Sequence, residues 1–316
     1  MRPKVSFLVP AHNEEKLIGK ALDALAKLKN DFPMIEVLVG LDGCTDRTEE
    51  IVRSYPFARV FIFPARSGNQ TVIKLLKQEA SGDIIFMNDA DWHIVADHDS
   101  FARMVACFDD PKVGGLGDHF TTSFDEEKVK RVSSLLYLGD AWTSLSTLQA
   151  KMERCVKIVD GKAFVDPSKP DFMFYVHIYR KNAVDDQQTL CDDGERMIQM
   201  LGKGYTVRLL DIESKPYMKA SYDSIGFRGF FKQRFRGFVA QRQISMVYPS
   251  FNGGSIFSYR HTLFQLGRNL VRIRRFRGYL GLVFWWAIAV AAFIKFRISP
   301  PAIGTTEGWK LRASRW

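Results

Sequence analysis

Ile84-Ile85-Phe86-Met87-Asn88-Asp89-Ala90-Asp91-Trp92 is the stretch on which the reading of this chain turns. Four apolar residues run into two carboxylates separated by one small residue. An uninterrupted apolar run of this length has the composition of a strand buried on both faces, as in a parallel sheet. The acids then fall at its carboxyl end, where open α/β sheets bind their ligands. Two hard oxygen ligands at that place can grip a divalent cation, and the cation a diphosphate. Ordinary solvated turns also contain this tripeptide, so its neighbours must decide.

Upstream, Lys4 to Val9 predicts a strand closed by Pro10. Leu17, Ile18, Ala21, Leu22, Leu25 and Leu28 then recur at helical spacing, with Asn13 as candidate cap and Glu14 and Glu15 in the first turn. Ile35 to Leu41 predicts a second strand, Gly43 a turn, and Thr45 or Asp46 the cap of a helix ending near Ser54. Arg59 to Phe63 is a third strand and Gly68 to Ala80 a third helix, broken by Ser81-Gly82. Strand and helix in alternation imply a mostly parallel sheet with helices on both faces. The first strand–helix turn lacks Gly-x-Gly-x-x-Gly, which disfavours a dinucleotide fold, and no phosphate-binding Gly-x-x-x-x-Gly-Lys-Ser/Thr occurs. Further on, Gly114 to Gly117 reads as a loop, Ser133 to Met152 as an amphipathic helix and Phe172 to Arg180 as a strand. Trp92 and His93 follow the acids closely; simple packing is the plainer reading of His93, and a contact with the bound ligand or the metal the alternative.

Charge is unevenly spread. The chain of 316 residues carries a net +10, yet Arg228 to Arg277 holds eleven Lys and Arg and no acid, leaving the first 227 residues mildly acidic. A basic tail suits nucleic acid or anionic lipid. Gly278 to Ile294, uncharged and mostly apolar, follows that tail and favours lipid over nucleic acid. Bases flank it on both sides, so a single span and a shallow insertion with both ends cytosolic are both open. Phe227, Phe230, Phe231, Phe235 and Phe238 share one side of a helical projection, with Arg228, Lys232 and Arg236 on another, the pattern of an interfacial helix. Packing of the Phe stripe against the body is the alternative. Cys44, Cys107, Cys155 and Cys191 are widely separated, which argues against structural zinc and a disulfide framework. The start of the chain does not read as a signal peptide.

Val9-Pro10-Ala11-His12-Asn13-Glu14-Glu15, Leu41-Asp42-Gly43-Cys44-Thr45-Asp46, and Gly82 to Asp91, in that order and spacing, resemble the signature of glycosyltransferase family 2. The resemblance implies the GT-A fold, a Rossmann-like α/β nucleotide-sugar-binding sheet, and inverting transfer from a GDP- or UDP-linked donor. It implies that Pro10, Ala11, His12, Glu14 and Asp42 line the nucleoside pocket. Asp89 would face the ribose and diphosphate, with Ala90 beside it, and Asp91, together with Asp89, would hold Mg2+ or Mn2+. Arg66 and Gly68 precede the third helix, whose N-terminus adds a weakly positive end to the donor site; a solvated arginine is the plainer reading of Arg66. Leu190-Cys191-Asp192-Asp193-Gly194-Glu195-Arg196 resembles the family's acidic pair ahead of a helix. Asp193 would be the catalytic base, with Asp192 beside it, although acids before a helix also cap it routinely. Gln233 and Arg236 resemble part of the Gln-x-x-Arg-Trp motif of processive members, with Gly237 in place of Trp, and would approach acceptor or diphosphate.

The expectation is therefore a GT-A catalytic domain over 1–220, basic interfacial helices over 221–277 and a membrane-inserting helix and tail over 278–316. The enzyme would face the cytoplasm and move a hexose such as mannose or glucose to a lipid-linked hydroxyl. A polyprenyl-phosphate acceptor is the alternative, and a non-enzymatic membrane adaptor keeping the nucleotide-sugar pocket is the second class.

Overall fold

The computed structural model describes residues 4–90, 92–118, 135–168, 175–210, 218–220, 227–249, 259–271 and 276–300. The first half alternates as its periodicity requires: β1 (Val5–Ala11), α1 (Ile18–Asp31), β2 (Glu36–Asp42), α2 (Thr48–Arg53), β3 (Ala58–Phe63), α3 (Asn69–Glu79) and β4 (Ile84–Met87). Then come β5 (Trp92–Ile94), α4 (His98–Ala106), β6 (Val113–Asp118), α5 (Leu135–Cys155), β7 (Val156–Val159), β8 (Lys162–Val165) and β9 (Tyr175–Arg180). The remainder is α6 (Asp192–Gly202), β10 (Thr206–Arg208), β11 (Met218–Ala220), α7 (Phe227–Val247), α8 (Tyr259–Leu270) and α9 (Phe276–Ile298).

One sheet runs in the order β3-β2-β1-β4-β9-β6-β10-β8-β7. Strands β1 to β4 are mutually parallel, and β9 enters antiparallel between β4 and β6. The apolar runs that suggested strands covered on both faces are so covered. Phe7, Val9, Val37 and Phe86 join the layer under α1 and α4, while Leu8, Leu38, Ile85 and Met87 join the layer under α3 and α6. A small two-stranded sheet pairs β5 with β11.

Two local expectations change. Helix α1 starts at Ile18, without a side-chain cap, because Asn13 bonds elsewhere: its Oδ1 accepts from Thr45 N at 2.8 Å, with the backbone at a left-handed φ of 54°. Gly114 to Gly117 is not a loop but most of β6. A Cβ on Gly114 would meet the Tyr205 side chain at 2.5 Å, and one on Gly115 the Met200 Sδ at 2.8 Å. The glycines let α6 and the β10 approach lie directly on the strand. Of the strand expected over Phe172 to Arg180, residues 172–174 lie outside the described residues.

Helices α5, α7, α8 and α9 form a separate helical layer. Its tightest point is the crossing of α5 and α9, where a Cβ on Gly139 would lie 2.2 Å from the Gly281 carbonyl oxygen. The Phe stripe of α7 turns inward rather than to lipid. Phe230 meets Trp285 at 6.1 Å between ring centroids and Phe238 meets Phe293 at 5.3 Å, while Phe227 stays exposed. Arg234 of α7 lies over the Phe230 and Trp285 rings at 5.1 and 5.3 Å.

Candidate active site

The chain reverses its direction across the sheet between β1 and β4: β2 and β3 lie to one side of β1, β4 to the other. Such a switch point opens a crevice at the carboxyl ends of the strands. Pro10 and Ala11 end β1, Asp42 ends β2, and Asn88 follows β4 with its N–H donating to Leu8 O at 2.9 Å. The turns carrying Pro10 to Glu14, Asp42 and Asp89 therefore share one edge.

Those turns are knitted together. His12 Nδ1 lies 2.6 Å from Asp42 O, and Glu14 N donates to Thr48 Oγ1 at 2.7 Å. Asp42 is buried, and its carboxylate accepts from Ser67 N and Oγ at 2.6 and 2.8 Å and from Gly68 N at 2.9 Å. Gly68 takes φ 95°, a conformation a side chain resists, so glycine presents that N–H and opens α3. Gly43, at φ 62°, turns against the Arg66 backbone, where a Cβ would lie 2.6 Å from Arg66 N. The Arg66 side chain is exposed, and Ala90 is buried.

A second cluster enters from α6. Asp192 and Asp193 stand in its first turn, after Cys191 at the cap, where the helix end favours negative charge. Neither is spent on capping. Arg196, one turn on and only 2% exposed, ion-pairs with Asp193 Oδ1 and reaches Asp192 Oδ2 at 3.5 Å. Its Nε donates to Val176 O at 2.8 Å, and its guanidinium sits 5.9 Å from the Tyr179 ring centre. Burial, then the charge of Asp192, push the Asp193 carboxyl up against the opposing pull of Arg196, with Asp89 adding a smaller push in the same direction. Asp89, from the β4 turn, is thus close enough to act on Asp193 from a distant part of the sequence. One guanidinium thus answers two carboxylates directly and the charge of Asp89 at longer range, an acidic surplus of the kind a divalent cation neutralises. Asp91 lies outside the described residues, and among those described no group of three or more His, Cys, Asp or Glu is placed to hold a metal ion.

Glu195 holds this cluster in place. Fully buried, it accepts from Gln188 N, Thr189 N and Thr189 Oγ1, each at 2.8 Å. Its fourth strong donor is the Tyr248 hydroxyl, also at 2.8 Å, just beyond α7. Gln243 of α7 accepts from Leu190 N at 2.9 Å, and Gln70 of α3 donates to Thr189 O. The loop that delivers Asp192 and Asp193 is therefore tied to α3, α6 and α7 at once. Gln233 and Arg236 lie half-buried on α7, whose Phe235 and Val239 pack with Leu190 of that loop. Arg196, Glu195, Gln243 and Tyr248 had no assigned role from sequence. The spacing of Arg196 three and four residues after the acids was the available signal, whereas Gln243 and Tyr248 are brought in by tertiary packing.

Residues 6–187 match the model of the family described as Glycosyl transferase family 2. Among curated proteins, the beta-monoglucosyldiacylglycerol synthase of Synechocystis sp. is 32% identical over 120 residues, covering 36% of this chain and 25% of that protein. A dolichyl-phosphate beta-glucosyltransferase of Trichomonas vaginalis is 34% identical over 98 residues, covering 28% of this chain and 30% of that protein. The match thus spans about a quarter to a third of each of these relatives. A mannosyltransferase of Pyrobaculum calidifontis, solved with GDP-Man and Mn2+, shares the fold at a TM-score of 0.61 and 15% identity, over 95% of this chain and 89% of that one. With a family model matched over more than half of its length, on a sheet whose switch point gathers the motif residues, the chain belongs to glycosyltransferase family 2.

Proposed function

We propose that the protein is a membrane-associated inverting glycosyltransferase that moves a hexose from a nucleotide-diphosphate donor to a hydroxyl of a lipid-borne acceptor. The observation that carries this is the Asp193–Arg196 ion pair at the start of α6, set within electrostatic range of Asp89 from the strand-end motif. In this reading Pro10, Ala11, His12, Glu14 and Asp42 form the nucleoside side of the crevice, with Arg66 and Gly68 at the start of α3. Asp89 and Asp91 would hold Mg2+ or Mn2+, whose charge offsets that of the departing diphosphate; the Mn2+ in the archaeal mannosyltransferase supports this assignment. Asp193 takes the acceptor proton, a contribution of about 10²- to 10⁴-fold. Arg196 orients Asp193, and Asp192 shares the guanidinium. A single in-line displacement inverts the anomeric centre and requires no covalent nucleophile on the protein.

The likeness to the Synechocystis beta-monoglucosyldiacylglycerol synthase supports a lipid hydroxyl. The likeness to the Trichomonas dolichyl-phosphate beta-glucosyltransferase favours the second reading, a polyprenyl-phosphate acceptor, which is already ionised and needs no base. One substitution separates them. Asp193→Asn abolishes transfer to a glycolipid or diacylglycerol hydroxyl while donor affinity stays within about twofold, read by nucleotide-diphosphate release with GDP-mannose, UDP-glucose or UDP-N-acetylglucosamine. Near-normal turnover in that variant removes the base and turns the assignment to a phosphate acceptor.

A further inference from the structure

Helix α9 is 23 residues long and apolar enough to cross a bilayer by composition. Its two sides have different fates. Gly281, Leu282, Trp285, Ile288, Ala289 and Ala292 are buried against α5 and α7, whereas Val283, Phe284, Val290 and Ile294 are each at least half exposed. The exposed stripe carries no charge, and exposed bases rim it: Arg277 before it, Lys295 and Arg297 after it.

The neighbouring helix decides how such a stripe meets lipid. Phe230 stacks edgewise on Trp285 and Phe238 on Phe293, so α7 runs parallel to α9. Lys232, exposed on α7, falls between those contacts, level with the middle of α9. At the same depth Trp285 Nε1 donates to Asp140 Oδ1 at 2.8 Å, with Arg234 3.9 Å from that carboxylate. Were α9 to span about 34 Å of bilayer along its axis, Lys232 would be carried to the hydrocarbon centre, where a charge is costly. With the axis in the plane of the surface, the apolar stripe enters the acyl boundary and Lys232 stays in water.

We infer that α9 is a side-on anchor: its Val283, Phe284, Val290 and Ile294 face lies in one leaflet of an anionic bilayer, and both helix ends stay on the same side. The inference rests on the membrane association proposed above and specifies its geometry. It follows that flanking bases contact anionic headgroups without crossing the bilayer.

The test uses the full chain and phosphatidylcholine vesicles containing phosphatidylglycerol. Flotation is compared for the wild type, for Phe284→Glu/Val290→Glu, and for Ile158→Glu/Val159→Glu, a control of equal charge on exposed strand β7. The first variant lowers vesicle partitioning at least tenfold and the control does not. Phe276→Cys and Ile298→Cys are then labelled on intact vesicles with an impermeant maleimide and the peptides identified by mass spectrometry. Labelling at both positions fits the side-on anchor; labelling at one alone means a span and overturns it, as does equal flotation of the first variant and wild type. Failure of the wild type to float removes membrane association altogether. Nucleotide release in detergent reports separately on sugar transfer.

Discussion

Glu195→Gln is the sharpest test of how the segment carrying Asp192 and Asp193 is held. The two carboxylate oxygens of Glu195 accept from two backbone N–H groups and two hydroxyls, all at 2.8 Å. An amide has one acceptor oxygen, so its NH2 must face Gln188 N in one orientation or Thr189 N in the other. At least one buried N–H loses its partner, at about 1–3 kcal/mol. The hydroxyls can rotate, but each loses a charged acceptor, and the sum comes to about 2–5 kcal/mol. Against a typical net stability of about 5–15 kcal/mol, that is a large share, measurable as a lower midpoint in chemical denaturation. Tyr248→Phe is the milder partner. It removes a single hydroxyl while the Glu195 oxygen keeps Gln188 N, and it costs about 1–2 kcal/mol. Both variants lower kcat more than they raise donor KM, because the loop they loosen carries Asp192 and Asp193 rather than the nucleoside turns. A Glu195→Gln protein within about 0.5 kcal/mol of wild type, with unchanged kcat, would refute the reasoning.

Acid stability should depend on Glu36, at the opposite end of the strands. Burial raises its carboxyl, but hydrogen bonds from Ser6 and Ser81 and the Arg59 contact outweigh it and hold the group at about 2. A depressed acid stabilises the fold above its ordinary value of 4.5 and loses that contribution as pH falls toward 2. Glu36→Gln therefore flattens the fall in stability between those limits, read by urea titrations across pH. Two glycine substitutions have opposite signs: Gly139→Ala drives a Cβ into the Gly281 carbonyl and lowers the melting temperature, whereas Gly237→Ala meets nothing within 4 Å and stabilises α7 by about 0.5–1 kcal/mol.

Local patterns in the sequence carried the parallel half of the molecule. The runs Val5 to Val9, Val37 to Leu41 and Ile84 to Met87 admit few alternatives, since each is apolar on both faces and bounded by turn residues. Asp42 and Asp193 were legible as site candidates because short motifs put acids at strand and helix ends. What was not legible depends on partners far away in the chain. Gly114 and Gly115 look like a loop until Tyr205 and Met200 are seen pressing on them. The Phe stripe of α7 looks lipid-facing until Trp285 and Phe293 cover it. Asn13 resembles a cap until Thr45, on the neighbouring turn, claims it.

The bonds from Tyr248 to Glu195 and from Gln243 to Leu190 cross the border at which the chain was expected to divide near residue 220. That border is no seam. Severing the C-terminal helices would strip two hydrogen-bond partners from the segment around Asp192 and Asp193, so the residues beyond 220 help to build the candidate site rather than merely follow it.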